Sequence, residues 1–169
     1  MVGKRRTLGL LLCLLLLLCT ACGGRTQNDT GDLHCTVTIE CGTVLAHMDD
    51  LSPGKAEIVP ADGVLLPETA VAFSEGDTVF DVLQRVCRAQ GIHMESNWTP
   101  AYNSAYIEGI GNLYEFDCGN LSGWMYSVNG TFPNYGASAY KPKDGDVILW
   151  VYTCDLGNDV GNPYQGDEK

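Results

Sequence analysis

Only one stretch of this chain repeats its apolar residues at helical spacing. Val79, Val82, Leu83, Val86 and Cys87 recur three and four apart, which gathers them on one face. Thr78 with Asp81 approximates a capping box, and Gly91 is placed to stop the helix. The rest reads as strand and turn. Residues 35–41, 70–73, 92–95, 105–110, 112–116, 124–128 and 147–153 carry strand patterns, separated by Gly, Asn and Pro clusters. Residues 45–67 lose the pattern, with Pro53-Gly54, Pro60 and Asp62-Gly63 as turn signals and room for a short strand at 63–66. Gly111-Asn112 and Asn129-Gly130 have the form of tight hairpin turns. Residues 147–153 are apolar on both faces, which predicts a central strand. One helix among many strands predicts a single small α+β domain, a mixed β-sheet with the helix packed across it, and narrows the fold to a β-grasp-like sheet or a partly open barrel.

The N-terminus belongs to a different object. Lys4, Arg5 and Arg6 precede an apolar run over residues 8–18 and then Thr20-Ala21-Cys22-Gly23, the layout of a signal peptide over residues 1–21. The run is too short to cross a hydrocarbon core of about 20 residues. The junction resembles a bacterial lipoprotein signal, with Cys22 as the lipid-attachment residue and Cys19 where an aliphatic residue is usual. Residues 22–33 then read as a polar tether, 34–155 as the folded domain and 156–169 as a flexible polar tail. This layout predicts an extracytoplasmic, lipid-anchored protein, ordinary cleavage and release being the other outcome. Cleavage before Cys22 removes three positive charges and no negative ones, taking the formal net charge from −11 to −14. Such a balance opposes nucleic acid, whose affinity for proteins comes mainly from Lys and Arg.

Five cysteines remain after the leader and Cys22: Cys35, Cys41, Cys87, Cys118 and Cys154. Spacing leaves their pairing open, and Cys87, on the helix's apolar face, is expected to be buried. The three histidines are not spaced as a zinc site. No nucleophile elbow, metalloprotease, Walker or dinucleotide motif occurs, so catalysis has no support in the sequence. His93 and Glu95 share one face of a short strand, the ordinary layout of a surface pair. Asp155 and Asp159 lie in a glycine-rich turn that offers hard oxygen ligands for calcium, although the spacing is not that of an EF-hand and a solvated acidic turn is the more ordinary explanation.

The most unusual stretch is 121–140. It gathers Trp124, Tyr126, Phe132, Tyr135 and Tyr140 with Asn129, Asn134, Ser122 and Ser138. Aromatic rings give contact area with a polar handle, and asparagine and serine adapt their hydrogen bonds. Trp124, Tyr126 and Val128 alternate along a strand, so a shared core face accounts for them as well. Phe132, Asn134 and Tyr135 flank Pro133 in a loop, where binding residues concentrate.

Three segments carry a likeness to a known family. They are Glu75-Gly76-Asp77-Thr78-Val79-Phe80-Asp81-Val82-Leu83, Gly123-Trp124-Met125-Tyr126-Ser127-Val128-Asn129-Gly130 and Tyr140-Lys141-Pro142-Lys143-Asp144-Gly145-Asp146-Val147-Ile148. In this order they resemble the transcobalamin-like C-terminal domain, also described as a domain of unknown function in bacterial surface proteins, over about residues 35–154. The resemblance implies a β-grasp-type ligand-binding domain. In the vitamin B12 carriers the equivalent domain caps cobalamin from one side while a helical domain supplies the other. No long helical pattern precedes Cys35 here, so a site on this domain amounts to half a clamp. Carried across, the hairpin from Trp124 to Tyr135 becomes the ligand-facing edge.

The expected function is therefore a non-catalytic, membrane-anchored binding module. Its ligand-binding residues are Trp124, Tyr126, Asn129, Phe132, Asn134 and Tyr135, with a cobalamin or other corrinoid among the candidate ligands. Two alternatives stay open: a surface module meeting a protein or glycan partner, and a calcium-stabilised structural domain.

Overall fold

The computed structural model describes residues 33–101 and 103–162. The expected signal peptide, Cys22 and the tether up to residue 32 lie outside the described residues, as do 163–169. Among the described residues no helix is long and apolar enough to cross a membrane.

The predicted helix is α1 (Val79–Gln90). The Thr78 hydroxyl accepts from the Asp81 N–H, and the Asp81 carboxylate accepts from the Thr78 N–H, completing the capping box. Gly91 ends the helix in the left-handed region, where its N–H returns to the Cys87 carbonyl. Val79, Val82, Leu83, Val86 and Cys87 are buried as their spacing requires.

The strands form two sheets rather than one. The larger joins β1 (Leu33–Glu40), β2 (Val64–Phe73), β6 (Gly123–Val128) and β7 (Val147–Thr153) in the order β2-β1-β7-β6. Its β1–β7 pair is parallel and its outer pairs are antiparallel, so it is a mixed sheet with β7 inside it. The smaller is an antiparallel meander of β3 (Met94–Thr99), β4 (Ser104–Ile110) and β5 (Leu113–Tyr114). The molecule is α+β, with both sheets and α1 contributing to one buried cluster. Cys35, Val37 and Ile39 of β1 meet Ile148, Trp150 and Tyr152 of β7 in that cluster.

Three expectations need correction. The two short strands at 63–66 and 70–73 are one strand, β2, running through Pro67. Proline survives there because β2 is the sheet edge and the register slips beside it: Val37 opposes Thr69 while Ile39 opposes Leu66. The Asn129-Gly130 turn is tight, with both residues at positive φ, but its return leg is a single bridge from Val128 to Thr131. Gly111-Asn112, by contrast, does close the β4–β5 hairpin, also with both residues at positive φ. Finally, the expected tail begins with ordered structure. Residues 158–160 form a 3-10 turn, the Asp159 carboxylate accepts from the Thr153 hydroxyl and the Cys154 N–H, and Leu156 N–H reaches the Leu121 carbonyl at 3.0 Å.

The long segment before β2 is folded into 3-10 turns over 42–46, 48–50 and 56–58. Gly63 closes it. A Cβ there would lie 2.5 Å from the Gly42 Cα, and the residue sits at φ +71°, so both space and conformation demand glycine.

Candidate functional site

β6 is the outer strand of the large sheet, and β4 of the small sheet packs beside it. The chain from 133 to 140 crosses near this junction and is pinned to the start of α1: Val79 N–H donates to the Tyr140 carbonyl at 2.9 Å and Phe80 N–H to the Ala137 carbonyl at 3.2 Å. A serine pair fastens the same segment to β4. Ser138 Oγ lies 2.8 Å from Ser104 Oγ and accepts from the Ala105 N–H at 3.0 Å. Gly136 passes so close to Ser104 that a Cβ would sit 1.7 Å from its Oγ.

Between β4 and this segment lies a cleft with an outer and an inner part. The outer part, about 390 Å³, is lined by Thr99, Ser104, Ala105, Tyr106 and the loop Pro133-Asn134-Tyr135-Gly136. The inner part, about 170 Å³, shares Ala105, Tyr106 and Gly136 with it and is walled by Ile107, Trp124, Tyr126, Ala137 and Trp150. Among the described residues no charged side chain lines either part, a contrast with the acidic chain as a whole.

The inner walls are rigidly held. Trp124 is buried and its indole N–H donates to the Leu113 carbonyl at 2.8 Å. Tyr126 is buried, its hydroxyl donates to the Tyr135 carbonyl at 2.8 Å, and its ring lies 5.4 Å from that of Trp150. Tyr140 meets Tyr126 edge-on and stacks on Tyr135 at 5.9 Å. At the mouth, Tyr106 and Tyr135 are 46% and 50% exposed, so both parts of the cleft connect to solvent past aromatic rings. Burial and the neighbouring Glu115, which accepts the Tyr106 hydroxyl, raise the Tyr106 pKa; burial followed by the nearby phenols raises that of Tyr126. Both phenols therefore stay protonated at neutral pH and act as neutral groups.

Trp150 stands apart. It is 2% exposed, it lines the inner cleft, and its Nε1 has no hydrogen-bond partner. Among the described residues only Thr36 Oγ1 is another buried side-chain polar atom in that position.

Of the six residues singled out in the sequence, four line this cleft: Trp124, Tyr126, Asn134 and Tyr135. Asn129 is occupied elsewhere. Its amide nitrogen donates to Asp146 Oδ1 and its oxygen accepts from the Val147 N–H, both at 2.9 Å, which locks the turn to the start of β7. Phe132 lines a separate hollow with Glu40, Thr43, Asp62, Leu149, Val151 and Asp159. Missing from the sequence reading were Thr99, Ser104, Ala105, Tyr106 and Trp150. Trp150 was visible as a core residue; the β4 residues enter only because the second sheet docks at β6.

The Asp159 oxygens accept from the Thr153 hydroxyl and the Cys154 N–H, and the Asp155 backbone N–H donates to the Thr153 hydroxyl. Among the described residues no group of three or more His, Cys, Asp or Glu side chains is gathered to hold a metal. His93 Nε2 is 3.0 Å from Glu95 and from the Tyr114 hydroxyl, an exposed cluster away from the cleft lining.

Residues 76–154 match the family model of a domain of unknown function, DUF4430. The match takes in a little under half of the chain, from just before α1 to the end of β7, and contains every residue that lines the cleft. No curated protein matches the chain. Among solved structures it is similar to haptocorrin in complex with Cbi, at 15% identity and a TM-score of 0.48, over 73% of this chain and 26% of that one. It is also similar to a structure described as "a putative metal binding protein from Ruminococcus gnavus ATCC 29149", at 16% identity and a TM-score of 0.40, over 72% of this chain and 96% of that one. The chain thus spans about a quarter of the length of the haptocorrin chain.

Proposed function

We propose that this protein is an exported, lipid-anchored and non-catalytic binding module that holds a small uncharged ligand in the cleft between β4 and residues 133–137. The observation that carries the reading is the Trp150 indole N–H. Indole nitrogen can only donate, and leaving it buried without an acceptor costs about 1–3 kcal/mol. Such groups in folded proteins ask for an explanation. Nε1 is closed to solvent in the free protein, so a ligand in the inner cleft that Trp150 lines supplies an acceptor by uncovering the indole edge as it binds. The aromatic walls favour a ligand with a flat or ring-bearing face. The uncharged lining favours a neutral ligand over an ionic one, because nothing there repays the desolvation of a charge.

The outer volume lies near the lower end of the roughly 300–1,000 Å³ usual for small-molecule sites. It takes a modest ligand whole, or one edge of a larger ring system held from the other side by a partner. The corrinoid version of the reading is of the second kind and rests on the resemblance of the three sequence segments. The β-grasp-like assignment belongs with it, supported by the central parallel pair of first and last strands and the single helix.

Titration of the purified domain with cobalamin and cobinamide, followed by absorbance and tryptophan fluorescence, tests this. A saturable shift that is lost in a folded Trp150→Phe variant supports the site. No shift at high micromolar concentration rejects the corrinoid version, and a shift unaltered in Trp150→Phe rejects this cleft. Membrane fractionation of the full chain against Cys22→Ser tests the anchor separately: an unchanged membrane share removes it.

A further inference from the structure

The five described cysteines are all free thiols, and all are buried. Three lie at different places in the fold. Cys35 donates to the Val71 carbonyl at 3.8 Å, Cys41 lies six residues further along the same direction of chain, about 20 Å for extended strand, and Cys87 is on the inner face of α1. Cys118 and Cys154 are different.

Cys118 belongs to the turn that precedes β6, and Cys154 follows the last residue of β7. Their segments are cross-linked by hydrogen bonds: Leu156 N–H to the Leu121 carbonyl at 3.0 Å, and the Tyr152 hydroxyl to Ser122 Oγ at 2.9 Å, which itself accepts from the Cys118 N–H at 3.0 Å. Both thiols also reach one 3-10 turn, residues 42–46 with its cap. Cys118 Sγ donates to the His47 carbonyl at 3.6 Å and Cys154 Sγ to Thr43 Oγ1 at 3.8 Å. We infer that Cys118 and Cys154 are a disulfide-forming pair, oxidised by exchange with an organic disulfide while the chain folds. Two thiols that reach one short turn, from backbones already tied together, are placed so that side-chain rotation can bring them toward bonding geometry.

While the chain is still folding, one of the two thiols loses its proton and its thiolate attacks one sulfur of the oxidant, the other sulfur leaving as a thiolate. The second cysteine, losing its proton, then attacks the sulfur of the first and expels the second thiolate. The protein loses two protons and two electrons, and the oxidant disulfide becomes two thiols. In the folded protein burial raises both thiols above their ordinary pKa. Once folded, with Cys118 3% and Cys154 9% exposed, the bond is shielded from exchange. The loop it closes contains β6 and β7, the strands that carry Trp124, Tyr126 and Trp150.

The test is refolding of the full chain from denaturant in a glutathione and glutathione-disulfide buffer, followed by alkylation and peptide mapping. The expected product contains one cross-linked peptide pair joining Cys118 to Cys154, two hydrogens lighter than the reduced pair. Its melting temperature falls by roughly 10 °C on reduction, as loop closure of this length implies. Cys118→Ser and Cys154→Ser each abolish the cross-link and the response to reductant, whereas Cys87→Ser keeps both. Recovery of Cys118 and Cys154 both alkylated, or a cross-link from either to another cysteine, overturns the proposal. Because the mapping is read on the unmodified chain, a variant that misfolds does not blur it.

Discussion

Trp150 and Tyr152 are neighbours on one face of β7, both large, both buried and both packed against an aromatic of β6. Tyr152 is fully provided for: its hydroxyl donates to the Tyr114 carbonyl at 2.6 Å and lies 2.9 Å from Ser122 Oγ, while edge-on Trp124 finds its own acceptor in Leu113. Trp150, one strand step away, has none. The strand is the same and the burial is the same; the surroundings differ. Tyr152 faces the closed end, where the turn before β6 folds over the core. Trp150 lines the cleft bounded by β4 and residues 133–137. One end of the sheet is finished by the protein's own polar groups, and at the other a buried indole N–H has no such partner.

The largest effect is expected at the finished end. Trp124→Ala should lose about 3–5 kcal/mol in urea unfolding, the range for removing a buried aromatic. A variant that keeps its stability and loses only ligand would move Trp124 out of the structural half. Tyr152→Phe should cost about 1–2 kcal/mol, since it removes two hydrogen bonds, one to the Tyr114 carbonyl, which keeps the Asp117 N–H, and one to Ser122. Trp150→Phe sharpens the contrast: the lost indole volume is offset by removing an unsatisfied donor, so stability should stay within about 1 kcal/mol of the parent. Equal losses for Tyr152→Phe and Trp150→Phe would dissolve the distinction.

Gly136→Ala probes the mouth. The added methyl meets Ser104 and must lift residues 133–138 from β4, at an expected cost of about 1–3 kcal/mol and with ligand affinity reduced on the order of tenfold. The smallest effect lies away from both ends. Partial burial tends to raise the Asp77 carboxyl, but the Ser74 N–H and the Arg85 hydrogen bond and charge outweigh it and hold the pKa below its ordinary value. A carboxyl depressed in this way stabilises the fold above its unfolded pKa and ceases to as pH falls through the folded one. Stability curves of the parent and Asp77→Asn should therefore separate at neutral pH and converge below about pH 4.

The sequence made the helix legible because every local signal agreed: spacing, capping box and terminal glycine all pointed to 79–90. β7 was equally plain, since only an interior strand is apolar on both faces. β2 was not, because Pro67 interrupts the pattern and only the edge position and the register slip opposite it make that harmless. In the aromatic stretch, residue type pointed to the right region but not to the right partners. Asn129 carries an adaptable amide and uses it on Asp146 and Val147; Phe132 turns to another hollow. Ser104, Ala105 and Tyr106 have no binding signature of their own, and they join the cleft only through the docking of one sheet against another.

The parallel pairing of β1 with β7 sets a condition on assembly. Thr36 pairs with Val147, more than a hundred residues later, so one of the two interior strands of the large sheet is the last of its four to arrive. Until it does, β1 and β2 can form only a two-stranded ribbon with an open flank, and neither sheet nor helix has a finished surface to settle on. A chain threaded from its N-terminus through a narrow passage would thus have to pass β7 through before this sheet could lock, and one cut short of residue 147 should gain no stable fold.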